Sequence, residues 1–192
     1  AIDPDAHQIQ FEKDGQVTTL DYSKLVLALG ASPIHLTLTG DAADDLCVVN
    51  SLTDYRAFRK RLDNSPNKQV AILGAGLIGC EFANDLQHTG HQVSVIDLAP
   101  HALGRLLPSH VAQAFQEKLA QTGIQFHFNS TVEQVNKNPA GGYSLNLNNG
   151  QTLDADMILS AVGLQSNIAL AQSAHIICNR GIITNHLLAT NQ

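Results

Sequence analysis

Apolar and polar positions alternate with two different periods along this chain. Near the N-terminus, Ile9-Gln10-Phe11 and Val17-Thr18-Thr19-Leu20 flank Lys13-Asp14-Gly15, which predicts a β-hairpin. Residues 25–29 form a continuous apolar run stopped by Gly30, which predicts a buried strand. Residues 39–45 are polar and acidic and predict a loop. Ser51 is placed to cap a helix over residues 52–62, with Asp54 in a first turn that favours a negative charge. Asp63-Asn64-Ser65-Pro66-Asn67 predicts a linker.

A regular alternation follows. Residues 69–73 read as a strand, and Gly74, Gly76 and Gly79 make a glycine-rich turn. Residues 77–89 read as a helix, with Gly90 suited to the position just past its end. Residues 92–96 predict a second strand running into Asp97. Residues 109–121 predict a helix stopped at Gly123, and residues 124–128 a third strand. The order β-α-β-α-β is that of a mononucleotide-binding half-fold. Beyond it, residues 131–136, 143–147 and 152–153 read as short antiparallel strands. Asn138-Pro139-Ala140-Gly141-Gly142 and Asn148-Asn149-Gly150 supply the turns. Residues 157–162 predict another buried strand, ending at Gly163. The predicted class is therefore α/β: a parallel sheet with helices, in which a three-stranded antiparallel meander replaces one crossover helix.

Composition narrows the classes. A chain of 192 residues fits one domain with pieces of a second, and can bury most of its apolar surface unaided. It is 44% hydrophobic and 15% charged, within the range of soluble globular proteins. The net charge is −6 and no Lys/Arg cluster is present, which argues against a nucleic-acid groove or a membrane-surface helix. Cys47, Cys80 and Cys178 are odd in number and far apart, so no disulfide framework is expected and a reduced, cytoplasmic compartment is. No apolar run approaches the roughly 18 residues of a membrane span. The start, Ala1-Ile2-Asp3-Pro4, has neither Met nor a signal-peptide pattern, and a piece of a longer protein is expected.

The candidate chemistry lies in Gly74-Ala75-Gly76-Leu77-Ile78-Gly79. Gly74 permits the tight turn out of the strand. Gly76, without a Cβ, lets a pyrophosphate approach the backbone. Gly79 lets the helix pack closely on the strand. The N–H groups of Leu77 and Ile78 would face the phosphates at the positive end of the helix dipole. Asp97 follows Gly76 by 21 residues, against an expected spacing of about 20. Its carboxylate can accept both hydroxyls of the adenosine ribose and would repel a 2′-phosphate, favouring NAD(H) over NADP(H). His101 and Arg105, just beyond, could soften that preference. The glycine turn alone leaves open which dinucleotide binds, because FAD domains use the same turn.

Other residues read more plainly. Glu81 is assigned to the first turn of the helix, where spacing alone makes it a dipole-compensating surface carboxylate. Cys80 reads as a small core residue. His88 and His91 are three apart, but Gly90 breaks the helix between them, and no metal is expected. No nucleophile elbow, Walker loop or base-stacking aromatic pattern is present.

The run Gly74-Ala75-Gly76-Leu77-Ile78-Gly79-Cys80-Glu81-Phe82-Ala83-Asn84-Asp85-Leu86 closely resembles the pyridine-nucleotide fingerprint of bacterial rubredoxin–NAD(+) reductases. These form a branch of the FAD-dependent pyridine nucleotide-disulfide oxidoreductase family. Asn50-Ser51-Leu52-Thr53-Asp54-Tyr55 tilts the resemblance to that branch. Asp21-Tyr22-Ser23-Lys24-Leu25-Val26-Leu27-Ala28-Leu29-Gly30-Ala31-Ser32-Pro33 looks like the strand and loop leading from FAD domain to NAD domain. Leu159-Ser160-Ala161-Val162-Gly163-Leu164 resembles the strand-end glycine near the nicotinamide. Gly181-Ile182-Ile183-Thr184 and Leu187-Leu188-Ala189-Thr190 resemble the segment before the family's second FAD motif. Leu29 stands where many relatives have Thr, and Ile34 where many have a basic residue.

The resemblance implies a Rossmann-like three-layer FAD/NAD(P)-binding fold. It implies a trailing FAD-domain segment at residues 1–40, a connecting segment with a helix at 41–66, an NAD-binding domain at 67–163, and a return to the FAD domain at 164–192. It implies an enzyme with NAD(H) and FAD as cofactors and rubredoxin as electron acceptor, this chain being roughly the middle of it and inactive alone. Cofactor contacts are then expected from Gly74, Gly76, Leu77, Ile78, Gly79, Asp97 and Gly163, and the resemblance makes Glu81 a residue that orients the nicotinamide against the flavin. A ferredoxin- or nitrite-reductase type shares these motifs and stays open, as does a non-catalytic dinucleotide-binding module. A small acidic acceptor would seek a basic patch, and none is visible in this sequence.

Overall fold

The computed structural model describes residues 1–63 and 68–192, so residues 64–67 of the expected linker lie outside the described part. In chain order the elements are β1 (Ile2–Asp3), β2 (Gln8–Lys13), β3 (Gln16–Asp21), β4 (Ala31–Pro33), β5 (Cys47–Val48) and α1 (Leu52–Asp63). Then come β6 (Gln69–Leu73), α2 (Leu77–His88), β7 (Gln92–Asp97), α3 (Ser109–Ala120) and β8 (Gln125–Phe128). The last are β9 (Val132–Lys137), β10 (Tyr143–Leu147), β11 (Thr152–Ala155), β12 (Met157–Ser160), β13 (Leu164–Ser166) and α4 (Ala169–Ser173). The chain divides into two compact units, residues 33–163 and residues 1–32 with 164–192.

The larger unit has three layers. Its centre is a parallel sheet in the order β5-β12-β6-β7-β8. Strand alternation sends side chains to opposite faces. Val70, Ile72, Val93, Val95, Met157 and Leu159 pack with Phe58, Leu62, Ala83, Leu86 and Leu119 of the helices. Ala71, Leu73, Ile96 and Ile158 pack on the other side with Val132, Val135, Leu145 and Leu147 of the antiparallel meander β11-β10-β9. Both faces are thus covered, which is why these strands read as near-continuous apolar runs. The expected β-α-β-α-β order and meander are both present. Ser51 caps α1 as expected: its Oγ accepts the N–H of Asp54 at 3.1 Å. The strand assigned to residues 157–162 ends sooner, at Ser160.

The smaller unit contains the predicted hairpin. Lys13 pairs with Gln16 across a two-residue loop in which Asp14 has φ 53° and Gly15 φ 76°, the left-handed pair that suits strand twist. Residues 25–29 correct the reading of a buried strand. They form no strand, and Val26 is 86% exposed. Only one side of the run is covered: Leu27 and Leu29 pack against Ala171, Ala174 and Ile176 near α4.

One buried group sets a pH dependence. His91 is 8% exposed, and its Nδ1 accepts the backbone N–H of Lys68 at 3.2 Å, so the ring is held neutral. Burial, and then the charges of Lys68 and Arg59, hold its pKa below the usual histidine value of 6.5. Well above pH 6.5 the ring is neutral folded and unfolded, and contributes no slope. Below it the unfolded chain takes up a proton that the folded chain refuses, so stability falls with falling pH until the folded pKa is passed. Urea unfolding at pH 7.5 and about 5.5 should show this loss. His91→Asn should remove part of it; an unchanged pH slope in that variant contradicts the assignment.

Candidate dinucleotide-binding site

The turn between β6 and α2 is built from three glycines with three different reasons. Gly74 has φ +106°, and a Cβ there would lie 2.6 Å from the Ala161 carbonyl oxygen. Only glycine meets both conditions without strain. Gly79 sits inside α2, where a Cβ would overlap the Gly74 carbonyl oxygen. Its bareness sets how closely the helix lies on the turn. Gly76 is the opposite case: it is the extended N-cap of α2, and nothing lies within 4 Å of the position its Cβ would take. The space beside it is open.

Helix α2 starts with its positive end unmatched. Its first turn has no acidic residue and its cap has no side chain. The first helical hydrogen bond runs from the Cys80 N–H to the Gly76 carbonyl at 2.9 Å. The N–H groups of Leu77, Ile78 and Gly79 therefore precede the helix's own ladder. Leu77 and Ile78 are 63% and 53% exposed. Donors at a dipole's positive end suit an anion.

Asp97, half-buried at the end of β7, clamps this turn. One carboxylate oxygen accepts the Ala75 N–H at 2.5 Å and the other the Ala99 N–H at 2.6 Å. Each oxygen keeps a further acceptor site, so the group can still receive two hydroxyls. The loop beyond is tied down as well. The Leu103 N–H donates to the Ala75 carbonyl at 2.9 Å, with Leu103 held at φ 55°, unusual for a bulky residue. The Asn129 N–H donates to the Ala99 carbonyl at 3.2 Å.

These parts surround a cavity of about 460 Å³ at the C-terminal ends of the strands. Leu73 and Gly74 bring β6 to it, Ile96 and Asp97 bring β7, and Ala161, Val162 and Gly163 follow β12. The chain runs outward from β6 to β7 to β8, then returns to place β12 on the other side of β6. The cavity thus opens where strand order reverses, the place where open α/β sheets bind ligands.

The profile of the pyridine nucleotide-disulphide oxidoreductase family matches residues 1–192. The chain belongs to this family. It is 60% identical over 192 residues to a rubredoxin-NAD(+) reductase of Acinetobacter baylyi, covering 100% of this chain and 49% of that protein. It is 44% identical over 172 residues to one of Alcanivorax borkumensis, covering 90% and 44% respectively. Among solved structures, the ferredoxin reductase for the CYP199A2 system of Rhodopseudomonas palustris superposes with a TM-score of 0.86 at 26% identity, over 99% of this chain and 46% of that one. The chain spans about half the length of the curated relatives it matches.

The geometry fits the pyridine nucleotide that gives the family its name: open backbone at Gly76, an unmatched helix start, and a carboxylate at the end of the next strand. Of the expected contact residues, Gly74, Gly76, Leu77, Ile78, Asp97 and Gly163 line the cavity. Gly79 does not, being buried behind the turn. Glu81 does not line it either, and its assignment to the first turn is corrected: α2 begins at Leu77, so Glu81 is its fifth residue, exposed on the second turn. His101 and Arg105 line the cavity. So do Leu36, Thr131 and Val132, which no motif marked; they reach the site by tertiary packing alone.

The Cys80 and Cys47 thiols are held protonated. Cys80 donates to the Ala75 carbonyl at 3.4 Å, and burial, then the Asp97 charge, push its pKa up to about 11. Burial raises Cys47 too, offset in part by Arg61 2.8 Å away. In the smaller unit the loop compared with a flavin loop is satisfied internally. The Asn167 amide donates to the Leu29 carbonyl at 3.0 Å and accepts from the Ser32 hydroxyl at 2.7 Å. We assign no flavin contact to these groups. Among the described residues, no helix is long and apolar enough to cross a membrane.

Proposed function

We propose that this chain is the NADH-binding portion of an FAD-dependent reductase that passes a hydride from NADH to FAD and then single electrons to rubredoxin. The observation that carries the nucleotide half of this reading is the Asp97 carboxylate, anchored by two backbone N–H groups beside the open approach at Gly76. Identity of 60% along the whole chain to a rubredoxin-NAD(+) reductase supports the acceptor. When bound, NADH supplies the hydride and FAD takes it up and gives electrons out one at a time.

This chain's residues hold and place the nucleotide. Gly74, Gly76 and Gly79 shape the turn, and the N–H groups of Leu77 and Ile78 take the pyrophosphate. Asp97 takes the ribose hydroxyls of the adenosine. Gly163, with φ +118° past β12, borders the nicotinamide end. Residues 67–163 form the NAD domain and residues 41–66 connect to it; residues 1–40 and 164–192 belong to the flavin domain. The division of the chain into compact units supports the boundary at 163/164; upstream it falls at 32/33, so residues 33–40 belong with the larger unit.

Glu81 is proposed to orient the nicotinamide against the flavin. It is exposed on the same helix whose N-terminus takes the pyrophosphate, and makes no ion pair among the described residues. Positioning of this kind is sensitive to small displacements. In anaerobic stopped-flow of the flavin-loaded protein, Glu81→Ala should slow flavin reduction by NADH roughly 10- to 100-fold with melting unchanged. An unchanged rate with unchanged NADH affinity removes the role.

A further inference from the structure

The strand end that carries Asp97 is held from a part of the chain far away in sequence. Ser130, Thr131 and Val132 line the cavity where the chain passes from β8 into the meander. This segment grips the end of β7. The Ser130 N–H donates to the Asp97 carbonyl at 3.0 Å, and the Asn129 N–H to the Ala99 carbonyl at 3.2 Å. The Ala99 N–H is in turn held by the Asp97 carboxylate. A shift of residues 129 and 130 therefore shifts both the backbone and the side-chain anchor of Asp97.

That segment is itself tied to the turn between β10 and β11. The Asn148 N–H donates to the Thr131 carbonyl at 3.0 Å, and the Asn148 Oδ1 accepts the Thr131 N–H at 3.0 Å. Asn149 reaches one residue further: its Nδ2 donates to the Ser130 Oγ at 3.0 Å. Ser130 is 2% exposed, and its hydroxyl donates to the Phe128 carbonyl at 3.0 Å, so its hydrogen is already committed. The Asn149 Oδ1 accepts the Gln151 backbone N–H at 3.0 Å. A backbone N–H can only donate, so the atom facing it is the amide oxygen and the atom facing Ser130 is the nitrogen. Donor and acceptor are thereby fixed in each contact.

The turn closes without help from the Asn149 side chain. The Gly150 N–H donates to the Leu147 carbonyl at 3.0 Å and the Leu147 N–H to the Gln151 carbonyl at 2.8 Å, with Gly150 at φ 82°. Asn149 is exposed, so it buries little on its own account. What it adds is a tie to a buried hydroxyl at the cavity wall.

We propose that Asn149 is a positioning residue of the dinucleotide site: through Ser130 it holds the strand end that sets the Asp97 carboxylate. This rests on the dinucleotide reading above. Asn149 touches no ligand and takes no part in hydride transfer.

The test is calorimetric titration with NADH and with NADPH of the original protein, Asn149→Asp, Ser130→Ala and the double variant. Aspartate has the shape of asparagine, and one of its oxygens still accepts the Gln151 N–H, so the turn closes as before. The other oxygen puts an acceptor where a donor stood. Either its contact with the Ser130 Oγ opens, or the hydroxyl turns to it and leaves the Phe128 carbonyl without that partner. Asn149→Asp should weaken NADH about tenfold, the scale of one lost hydrogen bond, and lower the NADH-to-NADPH affinity ratio by a similar factor, because Asp97 favours only NADH. A new negative charge acting through space would do the reverse: it would repel the 2′-phosphate of NADPH more and raise the ratio. With Ser130→Ala in place, the same change at residue 149 should alter the ratio by less than about twofold, since the hydroxyl that transmits it is gone. An unchanged or raised ratio in Asn149→Asp overturns the inference, and so does an equal fall with and without the Ser130 hydroxyl. In either case a preference for NADH in the original protein leaves the dinucleotide reading intact. Absence of that preference in the original protein overturns both.

Discussion

Gly79→Ala is expected to destabilise the larger unit by about 3 kcal/mol and to abolish dinucleotide binding, because its methyl group would overlap the Gly74 carbonyl oxygen. The atom in the way is backbone, so no rotamer change relieves the clash. Either α2 must move off the turn or the turn must open. Neither is free to do so. The Gly74 N–H donates to the Ile96 carbonyl at 2.8 Å, and Ala75 is held at both its N–H and its carbonyl. Moving α2 also loosens Cys80, Ala83 and Leu86 from the core under the sheet. Gly76→Ala is the control: its Cβ meets nothing within 4 Å, so stability should change only by the small difference in N-cap preference while pyrophosphate binding weakens. Urea unfolding and nucleotide titration of both variants check the pair. Similar stability losses in the two would show that Gly79 is not a packing requirement.

Asp97→Ala is expected to weaken NADH about 100-fold, the scale of two hydrogen bonds to a charged acceptor. It should also erode preference against NADPH, since the charge that opposes a 2′-phosphate is gone. Part of the loss has another origin. The Ala75 and Ala99 N–H groups, 2.5 Å and 2.6 Å from the carboxylate, lose their acceptor, so the turn itself loosens. Asp97→Asn separates the effects: its amide oxygen can still accept one of these N–H groups while the charge is removed. Its NADH-to-NADPH affinity ratio should fall below that of the original protein with a smaller cost in stability. An unchanged ratio would place the selectivity elsewhere.

The segment from β6 to β8 was legible because local and global demands agree there. The glycine spacing, the helical period after Gly76 and the acid at the next strand's end all describe one unit. The hairpin was legible from Asp14-Gly15, whose left-handed backbone is a local requirement. Residues 25–29 misled because a five-residue apolar run reads alike whether two faces are covered or one; here Val26 stays exposed. β5 was invisible because Cys47–Val48 has no strand signal of its own and is recruited by pairing with β12. Glu81 lies two residues past Gly79, which suggested the first turn; counted from the cap at Gly76 it is the fifth helical residue. The far wall, Leu36, Thr131 and Val132, comes from segments distant in sequence, which spacing rules do not join.

The central claim is that the turn after β6 and Asp97 make an NADH site. Calorimetric titration of the protein with NADH and, separately, with NADPH tests it most directly. The account predicts that NADH binds, and binds more tightly than NADPH. Equal affinity for the two, or no binding of either, would contradict it.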